Sequence, residues 1–162
     1  EQLAASGRSA GGLLMGASVN LDPAGFGCVV AEVPFVDCLT TMLDVTIPLT
    51  VIEREDWGDP LNDTAAYEVI KSYSPYDNIK PVEYPYMLVT TGFNDPLVSY
   101  FEPTKWVQKL RAAHARNPSR ICLKAELVAG HLGPSGRYHA WKDRAFVAAF
   151  VLDAVGAANR TS

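Results

Sequence analysis

Five residues near the start of the chain, Gly7-Arg8-Ser9-Ala10-Gly11, restrict what it can fold into more than any other stretch. The spelling G-x-S-x-G suits a serine carried on a very sharp strand-to-helix turn, a nucleophile elbow. A hydroxyl is a poor nucleophile unless it is held in the open beside a base. Such a turn holds it there by forcing Ser9 into a strained backbone conformation, and glycines two places away on each side leave room for the chains to pass. The helix that follows begins with free N–H groups aimed at a reacting carbonyl oxygen, so the amide of Ala10 is the expected oxyanion donor. The flanks agree. Leu3-Ala4-Ala5 can end a buried strand; Gly11, Gly12, Gly16, Ala17 and Ser18 let a helix lie close to a sheet, with Leu13, Leu14 and Met15 as its apolar contact. By itself so loose a motif also describes a glycine-rich turn without chemistry.

Composition narrows the classes. The chain of 162 residues is long enough for one domain with a core, and 48% hydrophobic with 20% charged residues is ordinary for a globular protein. No apolar run approaches the ~20 residues that span a bilayer, and nothing at the start resembles a signal peptide. A net charge of −4 with scattered Lys and Arg points away from nucleic acid and from anionic membranes as partners. Cys28, Cys38 and Cys122 have no metal-binding spacing, so buried thiols in a reducing, cytoplasmic compartment are expected, with neither metal nor cofactor.

After the elbow helix, Cys28 to Val33 is a short apolar run suited to a strand buried on both faces. Residues 34–60, carrying Pro34, Pro48 and Pro60, read as an excursion with one or two helical turns over the strand ends. Asp63 to Ser72 suits a helix with Ala66, Val69 and Ile70 on one side, and Tyr73 to Asn78 a turn-rich loop. Met87 to Thr91 is a strand, and Pro103 in a first turn opens a helix to about Asn117 with Trp106, Val107, Leu110 and Ala113 as its stripe. Ile121 to Val128 is a strand, Ala129 to Tyr138 a loop, and Trp141 to Val155 a last helix with Phe146, Val147, Phe150 and Val151 facing inward.

Strands alternating with helices imply an α/β domain built on a mostly parallel sheet with right-handed crossovers. In such sheets chemistry gathers in loops at the carboxyl ends of the strands. Ser9 ends the first strand, Asp95 follows Gly92-Phe93-Asn94 after another, and His131 lies between Gly130 and Leu132-Gly133 after the last. That is the Ser…Asp…His order of an α/β-hydrolase. A glycine-flanked loop lets His131 reach the Ser9 hydroxyl as general base, and Asp95 can fix its tautomer. His114 and His139 read as surface residues on or at helices, while Asp77 and Asp37 are fallback acids that do not directly end the relevant strand.

Longer blocks carry a resemblance. Gly7 to Gly16 (GRSAGGLLMG), Val33 to Asp37 (VPFVD), Tyr73 to Asn78 (YSPYDN), Glu102 to Trp106 (EPTKW) and Ala129-Gly130-His131 resemble the C-terminal part of the prolyl oligopeptidase family of serine peptidases, in its order and over nearly the whole chain. Leu132 departs from the glycine that usually follows the histidine. The resemblance implies Ser9 as nucleophile, Asp95 as orienting acid and His131 as base, without metal or cofactor. It is strongest to the branch that cleaves after Arg and Lys, whose pocket holds a pair of acids, and the matching positions are Glu53 and Glu55. Two carboxylates can clamp a guanidinium or hold an ammonium.

The resemblance also implies that residues 1–162 form the C-terminal half of an α/β-hydrolase domain. The upstream strands, a second oxyanion donor and the β-propeller that caps this family's active site would lie outside it. The expected substrates are short basic peptides. An exposed first strand would be a site for aggregation, so the isolated 162 residues are expected to be poorly soluble and nearly inactive. Two other readings stay open: a related hydrolase of different preference (a prolyl or acylaminoacyl peptidase, or an esterase), and an inactive fragment that only binds partners.

Overall fold

The computed structural model describes residues 3–113, 117–133 and 135–157. Strands β1 (Ala4–Arg8), β2 (Cys28–Glu32), β3 (Tyr86–Gly92) and β4 (Ile121–Glu126) form one parallel sheet in the order 1-2-3-4. Gly7 pairs with Ala31, Ala31 with Val89 and Val89 with Leu123, so the strands run in even register. Parallel neighbours need crossover connections. Helix α1 (Ala10–Leu21) joins β1 to β2, and α6 (Phe101–Ala113) joins β3 to β4. Four helices lie between β2 and β3: α2 (Cys38–Leu43), α3 (Pro48–Ile52), α4 (Arg54–Trp57) and α5 (Thr64–Tyr73). The chain closes with α7 (Arg137–Ala154) after β4. The expected α/β architecture, a parallel sheet flanked by helices, is therefore present.

The excursion holds three short helices where one or two turns were expected. Pro48 is the first residue of α3, where its missing N–H is harmless. Gly58, at φ 99°, ends α4 in a conformation that favours glycine. Strand β4 stops at Glu126, two residues short of the expected end, and Leu127 and Val128 are exposed. Helix α7 starts at Arg137, earlier than expected, with the exposed His139 in its first turn.

Strands β2 and β3 are covered on both faces, which is why they read as continuous apolar runs. On one face Val29, Ala31, Met87 and Val89 pack with Val19 of α1 and with Trp106, Val107 and Leu110 of α6. On the other, Cys28, Val30 and Leu88 meet Val147, Phe150 and Val151 of α7. Phe146, expected to face inward with them, is 47% exposed; a stripe at 147, 150, 151 and 154 leaves its neighbour pointing away. Val69 of α5 and Leu14 of α1 are likewise exposed, and the inner side of α5 is Ile70 with Tyr67 and Tyr73. A third cluster, with Leu13, Phe35, Leu39, Met42, Ile70 and Val98, fills the space beneath the excursion.

Close approach decides how α1 sits. A Cβ on Gly12 would lie 2.4 Å from the Cβ of Pro34, and one on Gly7 would lie 2.1 Å from the carbonyl oxygen of Gly11. Gly11 itself has nothing within 4 Å of its own Cβ position, so the room it was expected to provide is not needed there. The far end of α1 is pinned by buried Asn20, which donates to Pro75 O (2.9 Å) and accepts from the Tyr84 hydroxyl (2.9 Å). Strand β1 pairs only with β2 and alternates between exposed and half-buried residues. No helix among the described residues is long and apolar enough to cross a membrane.

Candidate active site

Ser9 stands at the joint between β1 and α1 with φ 56° and ψ −119°. A positive φ at a non-glycine residue is strained. The surroundings over-determine it: Ser9 N–H donates to Glu32 O (2.9 Å), and Ser9 O accepts from Gly12 N (2.8 Å), Leu13 N (3.2 Å) and Phe35 N (3.1 Å). Ala10 opens α1, so its N–H belongs to the first-turn amides that have no partner within the helix.

Asp95 sits just past the end of β3 with its side chain fully buried. One oxygen, Oδ1, accepts from the N–H groups of Leu97 (2.9 Å) and Val98 (2.9 Å), which locks the carboxyl plane. The other, Oδ2, lies 2.7 Å from Nδ1 of His131. A carboxylate there favours the tautomer protonated on Nδ1 and leaves Nε2 as the basic nitrogen. The two loops also touch along their backbones: Asn94 N–H donates to Ala129 O (3.2 Å), and a Cβ on Gly92 would lie 2.6 Å from that oxygen.

The serine and the imidazole come from opposite sides of β2 and β3. Arg8, the residue before Ser9, bridges them: its guanidinium donates to the carbonyl oxygen of His131 and pairs with Glu32 (3.1 Å). Among the described residues Ser9 Oγ makes no hydrogen bond, so the structure joins Asp95 to the imidazole directly and the strand that carries Ser9 to the imidazole's loop through Arg8. Asp37 and Asp77 lie elsewhere, the first paired with Lys105 and the second accepting from Ser74 Oγ (2.6 Å). His139 is exposed on α7, and His114 lies outside the described residues.

A cavity of about 210 Å³ opens beside Ser9 and Ala10. Its walls are Phe35, Met42, Leu49, Trp57 and Val98, with Thr41, Thr50, Glu53 and Asp56 as the polar groups. Glu53 is half-buried, and its Oε2 accepts from the Trp57 indole N–H (2.9 Å), so one carboxylate is fixed in the wall. Glu55 and Asp56 are both exposed on α4, and of the two only Asp56 lines the cavity. An E-R-E-D string has no period that tells which of its acids face inward; a four-residue helix decided it. Sequence reasoning also missed Arg8 as a bridge and Glu102 as a buried acid.

Two of the three cysteines, Cys28 and Cys38, are the buried thiols expected, whereas Cys122 is only half-buried. Burial pushes the Cys28 thiol up to about 11 and the Cys38 thiol to about 12, so neither forms a thiolate near neutrality. Among the described residues no group of His, Cys, Asp and Glu is arranged to hold a metal ion.

A parallel sheet flanked by helices, with a strained serine at a strand–helix joint and an Asp–His pair past the carboxyl ends of later strands, has the architecture of the α/β-hydrolase fold. The family model described as the prolyl oligopeptidase family matches residues 1–158, and the chain belongs to that family of peptidases. It is similar to "Protease 2" of Moraxella lacunata (50% identical over 155 residues, 96% of this chain and 22% of that protein). It is also similar to "Dipeptidyl aminopeptidase BI" of Pseudoxanthomonas mexicana (44% identical, 99% of this chain and 22% of that protein). Oligopeptidase B from Leishmania major superposes with a TM-score of 0.92 at 48% identity, covering 96% of this chain and 21% of that one. The chain thus spans about a fifth of the length of the relatives it matches.

Proposed function

We propose that these residues carry the Ser9–His131–Asp95 triad of a serine oligopeptidase that cleaves short peptides after Arg or Lys. The observation that carries the reading is the 2.7 Å contact of Asp95 with His131, in a loop tied by Arg8 to the strand that presents Ser9. In the reaction Nε2 of His131 takes the Ser9 hydroxyl proton as Oγ bonds to the substrate carbonyl carbon. Asp95 holds Nδ1–H and stabilises the imidazolium, and the Ala10 N–H receives the oxyanion. The imidazolium then gives its proton to the leaving amine as the C–N bond breaks. Water, deprotonated by the same nitrogen, attacks the acyl carbon, and the imidazolium returns that proton to Ser9 Oγ as the ester bond breaks and the acid leaves.

The cavity beside Ser9 takes the side chain on the acyl side of the scissile bond. It is smaller than the ~300 Å³ and upward of drug-sized sites, which suits one long side chain. Glu53 meets the guanidinium or ammonium from the wall, with Asp56 beside it; Glu55 adds negative charge from the exposed side of α4. Short peptides are the substrates because a propeller supplied by the rest of a full-length relative would exclude folded chains. The reducing cytoplasm is the proposed location, in keeping with three free cysteines.

A fluorophosphonate probe tests the core of this reading, using the full-length protein. Labelling at Ser9, lost in Ser9→Ala and strongly slowed in His131→Ala, is expected; an unlabelled serine would leave a binding module instead. The similarity to a protein named as a dipeptidyl aminopeptidase supports a second reading, in which dipeptides are removed from a free N-terminus. Blocking the substrate's N-terminus separates the two: an oligopeptidase still cleaves the blocked arginyl amide, whereas the aminopeptidase does not.

A further inference from the structure

Glu102 lies in the first turn of α6, yet it is fully buried. Its Oε2 accepts from the backbone N–H of Asp37 (3.0 Å), the residue that precedes α2, and its Oε1 from the hydroxyl of Thr41 (2.6 Å) in the middle of α2. The chain of contacts continues outward. The carbonyl oxygen of Thr41 accepts from the hydroxyl of buried Thr50 on α3 (2.8 Å), and both threonines line the cavity beside Ser9. Helix α3 leads directly into Glu53, which precedes α4 and accepts from the Trp57 indole N–H. One carboxylate therefore anchors the polar wall of the cavity to the helix that follows the Asp95 turn.

We propose that Glu102 is a positioning residue for this cavity: by holding α2 at Asp37 and Thr41, and α3 through Thr50, it sets the place of the wall that carries Glu53. This rests on the reading of the cavity as the site for the substrate side chain. The physical need is plain. Helices α2 and α3 have six and five residues, too short to be stable alone. A buried acceptor that takes two donors from α2 supplies the registration that a strand would otherwise give.

The same geometry links the wall to a proton. Burial pushes the Glu102 carboxyl up to about 7, against the opposing effect of its two donors. Asp37 and Cys38 face it from the start of α2 and Lys105 from its own helix, while Asp77, in the turn beyond α5, acts on Asp37 and Cys38. The ionised carboxylate accepts from the Thr41 hydroxyl, whereas the neutral acid can donate to Thr41 Oγ1 and still accept from Asp37. Glutamine can reproduce the second pattern; alanine reproduces neither.

The test uses Glu102→Ala and Glu102→Gln in the full-length protein, with two readouts. KM for a blocked arginyl amide reports on the cavity, and the rate of Ser9 inactivation by a small organophosphate that does not fill it reports on the triad. Expected for the alanine variant is a tenfold or larger rise in KM with the inactivation rate within twofold of wild type, and recovery of KM in the glutamine variant. Equal losses in both readouts would mean general unfolding, and no change in KM would mean no link to the wall; either overturns the proposal. If wild-type Ser9 fails to react, the proposed function falls but the inference is still read from the Trp57 indole N–H resonance. That resonance should move between pH 5 and pH 8 in wild type and less in Glu102→Gln. Identical titrations would overturn it.

Discussion

Replacing Glu102 with Gln should remove a pH dependence of stability that wild type shows on the alkaline side of its carboxylate range. The folded carboxyl is raised by burial from 4.5 to about 7, and the side chain has no exposure to solvent that would screen this. In that window the folded state binds more protons than the unfolded state, so stability falls as pH rises from about 4.5 to about 7 and is level above. At about 1.4 kcal/mol per pH unit, the window is worth about 3 kcal/mol. Asp37 is also raised by burial and pulls in the same direction, whereas Asp44 and Asp59 are lowered by their hydrogen bonds and act only at more acid pH. The comparison with Glu102→Gln isolates the one group, because glutamine has no proton to lose. Urea unfolding of both proteins at intervals between pH 4.5 and 8 is the assay. The difference between them should shift by about 3 kcal/mol in favour of the variant as pH rises. Parallel curves would refute the argument that the burial of Glu102 controls its ionisation.

Asp95→Asn should lower turnover about a thousandfold or more with little change in KM, because an amide no longer holds the Nδ1–H tautomer; steady-state kinetics on an arginyl amide reads this. Glu53→Gln should cost about 2 kcal/mol in kcat/KM for arginyl substrates, some ~30-fold, and leave a neutral ester nearly untouched; equal losses on both would remove Glu53 from the specificity argument. Gly12→Ala should destabilise by about 2 kcal/mol, since its Cβ would press on Pro34 at 2.4 Å, whereas Gly11→Ala should be neutral or stabilising by up to ~1 kcal/mol because its site is open and helical. Thermal unfolding of the pair separates them, and a destabilised Gly11→Ala would show that the motif's second glycine is needed for more than space.

Much of the fold was legible because local chemistry and tertiary demand coincide. The apolar runs of β2 and β3 are continuous because both faces are covered, and Asn117-Pro118-Ser119 separates α6 from β4 as its residue types dictate. The Ser9, Asp95 and His131 positions were visible as residue types at strand ends. Their order along the chain follows from parallel topology, which brings successive carboxyl ends to one rim. Helix faces were read less well where apolar residues crowd together: Phe146 beside Val147, Val69 beside Ile70, Leu14 beside Leu13. Composition cannot choose between such neighbours, because the choice depends on the direction from which the sheet approaches.

The sequence by itself determined the alternation of strands and helices, the elbow at Ser9 and the family to which the chain belongs: the first two rest on residues close together, and the third on short local blocks met in one order along the chain. Only the tertiary structure decided that Oδ2 of Asp95 meets Nδ1 of His131, that Arg8 reaches the His131 loop and that Asp56, in place of Glu55, lines the cavity. It alone buried Glu102 beneath that cavity's wall. Each of these is a contact across tens of residues, set by how helices lie on the sheet. A side chain's neighbours and its exposure to water exist only once that packing is made.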